Sequence, residues 1–337
     1  MTAMAEPKPT VAADPDSERI DDLQPINIDA VASPPTEGLV VWIQVLGAFV
    51  LNLNTWGLMN SYGAFQTFYQ LDMLRNSTSS SIAWIGSTQA FFLFLVSVAA
   101  GPLFDAGYLR PLLVVGSLLL VVGTFLTSIT SAYWQVFLTQ ALMTGLGFGC
   151  LYLPAPAVVS QHFNVSTALA MGASSTGSAI GGIVYPIVFN QLQPQVGFGW
   201  ATRSLGFILL ATSLVPVFLM KANAPPRPAR SLVDRSAFRD APFLVFSLGL
   251  FFGVMGFYIV LNYVQLLAMA RTNTSPSLAG YLLVIINAAS LPGRLVPGYY
   301  ADRVGSINVQ ISVVLASVVL TFSLPLLWSF SARYTAL

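Results

Sequence analysis

Charge is what this sequence has least of. Only 8% of its 337 residues are Asp, Glu, Lys or Arg, where a soluble globular domain carries about a quarter. A surface facing water cannot be built from so few charges. A hydrophobic content of 55% points the same way: most of the surface faces something else. From Pro111 to Thr202 there is no Asp, Glu, Lys or Arg at all. At about 1.5 Å rise per residue, such a stretch crosses a hydrocarbon core of about 30 Å several times. Cysteine is nearly absent too. Cys150 stands alone, which excludes an intrachain disulfide and leaves the redox compartment open. His162 is the single histidine, and without acidic or thiol neighbours in sequence it makes neither a metal site nor a catalytic triad. No catalytic constellation occurs, so neither an enzyme nor a cofactor, a metal or a nucleic-acid partner is expected. No Walker-type phosphate loop occurs, which speaks against ATP drive. Gly145, Gly147 and Gly149 imitate a dinucleotide fingerprint, but they lie inside an apolar run without a following polar strand–helix context. Small residues there serve close helix approach, as do Gly177 and Gly181.

What is present is a series of apolar runs near 20 residues long. Nine candidate spans follow, at 39–66, 82–104, 111–130, 133–159, 167–190, 202–220, 242–268, 277–298 and 307–329. Trp42, Trp84, Trp134 and Trp200 sit near their ends, where amphipathic rings prefer to lie. Pro154 and Pro156 are expected to kink the fourth span. Residues 1–37 hold eight of the 13 acids and no apolar core of a signal peptide. They read as a disordered acidic tail, leaving the first span to act as its own insertion signal. With that tail in the cytoplasm, inner loops carry eight Lys and Arg residues and outer edges four, the bias expected of N-inside topology. Nine spans then put the C-terminus outside. Of the three N-x-S/T sequons, Asn164 falls inside and Asn76 and Asn273 outside; Asn76 is the candidate for glycosylation.

The segment 221–240, rich in Pro and Arg, is the only long polar interruption after the tail. It reads as a cytoplasmic linker between a six-helix half, 38–220, and a second, incomplete half of about three helices, 241–337. A repeat supports the division. Gly101-Pro-Leu-Phe-Asp105 closes the second span and Gly298-Tyr-Tyr-Ala-Asp302 the eighth, 197 positions apart. Two related halves in parallel are a known transporter plan.

Several segments resemble the major facilitator superfamily, in particular its monocarboxylate-porter branch as it occurs in fungi. They include NTWGLMNSYGAFQTFY (54–69), GPLFDAGYLRPLLVVGS (101–117), GLGFGCLYLPAPAVVSQHF (145–163), ALAMGASSTGSAIGGIVYPIVFNQL (168–192) and LPGRLVPGYYADRVG (291–305). The resemblance implies an all-α multi-spanning membrane protein. Its fold is a two-half helical bundle with about nine of twelve spans present, a C-terminally truncated form. It implies a secondary active transporter moving a small, anionic or amphipathic organic solute by alternating access, with a co-transported proton as a further candidate partner. The plasma membrane is the expected site, the vacuolar membrane the alternative. The sequence departs from the branch where Ser290 stands at the position animal members give to an Asp, four residues before Arg294. The alternative reading is a truncated, non-transporting membrane protein or a solute sensor.

Polar residues inside spans face protein or a cavity. Asn52, Trp56 and Asn60 recur every four residues and share one helical face. They either line a cavity or, for the amides, bridge neighbouring helices. Asn262 and Tyr263 on the seventh span are substrate-site candidates, because spans one and seven line the pathway in the resembled fold; an interfacial anchor is the other reading. Arg294 is either an electrostatic site for an anion, which the resemblance implies, or a side chain that snorkels toward the cytoplasm. Asp105 and Asp302, with Arg110 and Arg303 beside them, are candidates for a conformational latch. In the resembled fold each such Asp reaches across to the other half: Asp302 to the start of the fifth span, and Asp105 to an eleventh.

Overall fold

The computed structural model describes residues 38–163, 166–223, 225, 237–271 and 276–334, with side chains left out over most of 257–280 and 321–334. No strand occurs among the described residues. That is the expected outcome for apolar runs in lipid, where only a helix satisfies its own backbone hydrogen bonds within one segment.

Helix α1 spans Leu39–Met73, α2 Ser79–Asp105, α3 Leu109–Thr127 and α4 Tyr133–His162. A continuous helical run, Thr167–Leu219, follows. Then come α7 (Ala241–Arg271), α8 (Pro276–Val304) and α9 (Ser306–Tyr334). The run 167–219 is not one rod. Gly197 takes φ +81° inside it, a left-handed conformation that reverses the chain and that only glycine adopts cheaply. It divides the run into α5 (167–196) and α6 (198–219), which lie side by side, since Asn54 bonds Tyr185 of one and Thr212 and Ser213 of the other. Six helical segments among the described residues are long and apolar enough to cross a membrane, the 167–219 run counted once. The chain is therefore an all-helical, multi-pass membrane protein.

The helices start and stop for local reasons. Thr78 caps α2, its hydroxyl accepting from the Ser81 N–H at 3.1 Å. Gly107 (φ +89°) follows the end of α2 and Gly305 (φ +96°) the end of α8. Each G-x-x-x-D repeat thus ends a helix just before a left-handed glycine, and the repeat is geometric as well as sequential. The hydrogen-bond ladder of α4 is interrupted at Leu153, whose backbone stays helical (φ −63°, ψ −41°), and Pro154 opens the second stretch; proline has no N–H to continue the ladder. A π-helical stretch, Leu53–Gly57, lies in α1 beside Asn52; such bulges occur often at functional sites.

Two ends of the bundle can be told apart. At one, Gln44 of α1 clasps the end of α6: its Nε2 donates to Leu219 O (3.2 Å) and its Oε1 accepts from Lys221 N–H (2.8 Å). Trp42 meets Phe163 edge-on at the same end. At the other, Phe68 stacks on Phe198 and Phe65 packs on Phe189 at 4.3 Å between centroids. These rings tie α1 to the α5–α6 turn. Between the ends, polar side chains form satisfied buried networks. Asn54 is a hub, donating to Ser213 Oγ and accepting from Tyr185 Oη and Thr212 Oγ1 within 2.9–3.1 Å. Tyr69 donates to Gln140 at 2.5 Å, and Gln89 to Thr144 at 2.7 Å. In lipid such pairs hold helices together where apolar burial offers no preference. The outside is apolar: Phe91, Val98 and Leu118 are exposed, as are Trp42, Trp84, Trp134 and Trp200 near helix ends. In water so continuous an apolar surface is untenable; in a bilayer it is the contact surface.

Candidate functional site

A cavity of 460 Å³ opens where α1, α4, α5 and α8 meet. Asn52, Trp56 and Asn60 line it from α1 and Arg294 from α8, so four candidate residues separated by more than 200 positions converge on one space. The stripe on α1 lies where four-residue periodicity puts it. Arg294 reaches the cavity because α8 packs directly on α5. A Cβ added to Gly172 would stand 2.6 Å from Arg294 O, and one on Gly298 would stand 2.8 Å from Ala168 O. Glycine at both positions lets the two backbones touch.

The polar groups are unevenly satisfied. Arg294 Nη1 donates to Ser175 O at 3.0 Å, while its buried Nε has no partner. Among the described residues no carboxylate lines the cavity or bonds this guanidinium. Asn52 uses its amide nitrogen twice, toward Ala48 O (3.1 Å) and Ser174 O (3.2 Å). It therefore bridges α1 to α5 and lines the cavity at once. Asn60 is 4% exposed with an unpartnered Oδ1. Leaving a buried donor or acceptor unpaired costs about 1–3 kcal/mol.

Other lining residues escaped the sequence reading. Ser174, Ser175, Ser178 and Met171 form a stripe on α5, and Tyr152 and Pro156 come from α4. The signal was the i, i+3, i+4, i+7 spacing of 171, 174, 175 and 178 inside a stretch read as a packing motif. Each serine hydroxyl donates back to the carbonyl three residues earlier, which leaves oxygen lone pairs for the cavity. Trp56 meets Tyr152 edge-to-face at 5.5 Å and Phe94 at 6.1 Å.

The remaining candidates lie elsewhere. Asn262 and Tyr263 are on α7, with side chains outside those described. Asp302 accepts from Ala168 N–H and Leu169 N–H, both at 2.8 Å, across the start of α5. A carboxylate there meets free N–H groups and the positive end of the helix dipole. Arg303 lies over the Tyr299 ring at 4.1 Å. Asp105 ends α2, and Arg110 is exposed at the start of α3. Asn76 is exposed in the turn after α1; Asn164 and Asn273 lie outside the described residues. His162 bonds its own helix, Nδ1 to Val158 O at 2.9 Å. No cluster of three metal-ligating side chains occurs among the described residues.

Comparison with known proteins adds an independent line. Residues 39–337 match the family model of the Major Facilitator Superfamily. The chain is 42% identical to the MFS-type transporter dbaD of Emericella nidulans over 306 residues, 88% of this chain and 69% of that protein. It is 46% identical to the MFS-type transporter eupM of a Phoma species over 217 residues, 64% of this chain and 77% of that one. It is 35% identical over 280 residues to the fujikurins efflux protein of Gibberella fujikuroi, 82% of this chain and 60% of the relative.

Proposed function

Because this chain belongs to the major facilitator superfamily, we propose that it is a secondary transporter carrying a small organic anion through the cavity at Arg294. The observation that carries the anion is a half-buried guanidinium that lines the cavity and has no carboxylate partner among the described residues. A cation kept in an apolar helix bundle is costly unless something compensates it. The relatives named as MFS-type transporters support the transport reading. One named for efflux supports outward movement. The resemblance to the monocarboxylate-porter branch supports a carboxylate as the anionic group.

Mechanistically, residues 38–220 act as one half and 241–337 belong to the other, joined by 221–240, and solute access alternates as the halves rock. The bidentate contact of Asp302 with α5 holds the halves together at one end and must open on each cycle. Asp105, Arg110 and Arg303 belong to the same latch region. Asn52, Trp56 and Asn60 orient the solute while Arg294 compensates its charge, and Asn262 and Tyr263 are assigned to the pathway through their helix. The membrane is the plasma membrane.

The test is flux. The full chain is reconstituted in proteoliposomes and exchange of labelled organic acids is measured. Arg294→Gln is expected to lower flux about ten- to hundredfold, the scale of a lost charged hydrogen bond, with Arg294→Lys between. Absence of flux for every acid tried, or flux indifferent to Arg294, overturns the proposal.

A further inference from the structure

The wall of the cavity carries more information than its charge. Trp56 and Tyr152 both line it, and their rings stand edge-to-face at 5.5 Å and 74°. Phe94 braces the pair from behind, 6.1 Å from Trp56 and 6.3 Å from Tyr152, again at steep angles. The three rings therefore hold one another in a herringbone, and two of them border the cavity. Aromatic rings prefer this tilted packing because the positive edge of one meets the negative face of another. Met171 and Pro156 add apolar, polarisable wall; thioether sulfur packs well against ring edges. The volume, 460 Å³, lies within the range of about 300–1,000 Å³ typical of sites for drug-sized ligands. A two- or three-carbon acid would leave most of it to water.

We infer that the Trp56–Tyr152 pair is an aromatic clamp that selects planar aromatic acids over saturated acids of the same size, with the carboxylate directed to Arg294. This inference rests on the anion reading of Arg294 given above. It adds a specificity determinant that the charge alone does not imply. Arg294 sets which solutes enter by charge, and the clamp sets which by shape. A flat ring lying against the pair gains an edge-to-face contact; a puckered ring of equal bulk does not.

The experiment measures binding to the full chain in lipid nanodiscs by displacement of labelled 2-naphthoate, using unlabelled 2-naphthoate, decalin-2-carboxylate and 2-naphthamide. The expected wild-type preference for 2-naphthoate over the decalin acid is roughly two- to tenfold, the scale of one added aromatic contact. Trp56→Leu and, independently, Tyr152→Leu are expected to abolish that preference. Tyr152→Phe keeps the ring and is expected to keep it. Arg294→Lys is expected to weaken both acids together and leave their ratio unchanged. Each variant is accepted only if monodisperse, and two independent ring deletions guard against one failing to fold. Equal wild-type affinity for the two acids, or a preference surviving both ring deletions, overturns the clamp and leaves the anion site standing. Naphthamide binding as tightly as naphthoate, or no binding of either acid at millimolar concentration, overturns it together with the anion reading. Loss of flux with binding intact would instead sink the transport proposal and leave the clamp.

Discussion

Gly57 of α1 and Gly181 of α5 bring their backbones together so closely that a Cβ on Gly57 would stand 2.6 Å from Gly181 Cα. Gly181 in turn faces Leu53 O and Gly57 at similar range. Gly57 directly follows Trp56 and lies five residues after Asn52, so the contact sets how far the α1 face of the cavity lies from α5. Gly57→Ala is expected to destabilise the bundle by about 1–3 kcal/mol, the range for overpacking. The readout is the thermal unfolding midpoint of the purified chain in detergent. An unchanged midpoint would show that the two helices can part without cost.

Asn54 satisfies three partners from α5 and α6. Asn54→Leu strands the buried hydroxyls of Tyr185 and Ser213 in an apolar interior. About 1–3 kcal/mol of stability should be lost, read in the same assay. Leaving Asn54 in place and changing Thr212→Val should cost less, since the Tyr185 and Ser213 bonds remain. Equal losses for the two variants would argue against a hub.

The Asp302 carboxylate lies at a solvent-exposed helix start. Asp302→Asn keeps one acceptor, sets an NH2 donor against the second N–H, and removes the charge; the charge accounts for about 0.3–1 kcal/mol of the cost, typical of a helix end, and the lost bond for about 0.5–1.5 kcal/mol more. Raising salt should shrink the difference between variant and wild type, because screening acts on the charge and not on the neutral bond. A difference that is independent of salt would place the effect outside electrostatics.

Gln44 joins α1 to the end of α6 through both of its amide atoms, with the buried Met220 side chain packed against Gly47. Gln44→Leu is expected to loosen the chain leaving α6. Limited proteolysis should then cut within the Arg-rich segment 221–240 faster than in wild type. Unaltered cleavage kinetics would assign the clasp no role in holding that exit.

Asn76 is exposed in the α1–α2 turn and meets the sequon requirement with Thr78. With that turn outside the cell, treatment with a peptide N-glycosidase is expected to increase gel mobility, and Asn76→Gln to abolish the shift. A mobility unaffected by the enzyme in a secretory-competent host would count against either the glycan or the orientation.

Much of the fold was legible because its causes are local. Apolar runs mark helices, and Gly107 and Gly305 after Asp105 and Asp302 repeat one helix-ending device. The face shared by Asn52, Trp56 and Asn60 follows from helical spacing alone. The site was legible only in part. Tyr152 follows Gly145, Gly147 and Gly149 and has no polar signal of its own; it lines the cavity from α4, and no local rule says which neighbour it meets. Ser174, Ser175 and Ser178 flank Gly177, which reads as a helix-contact residue. These serines line the cavity, because α8 covers α5 through Gly172 and Gly298 and leaves the adjoining stripe open.

By itself the sequence determined that this chain lives in a membrane as helices, since 8% charge and long apolar runs admit no water-facing surface and no open sheet. It also determined which residues were too polar to face lipid. What they face was decided by tertiary structure. Arg294 is 119 positions from Ser175 and more than 230 from Trp56, and no spacing rule relates residues on different helices. Only the close glycine contacts between α1, α5 and α8 bring the guanidinium, the amides and the rings to one cavity, because helix packing distance is set by the side chains at the crossing and not by either helix alone.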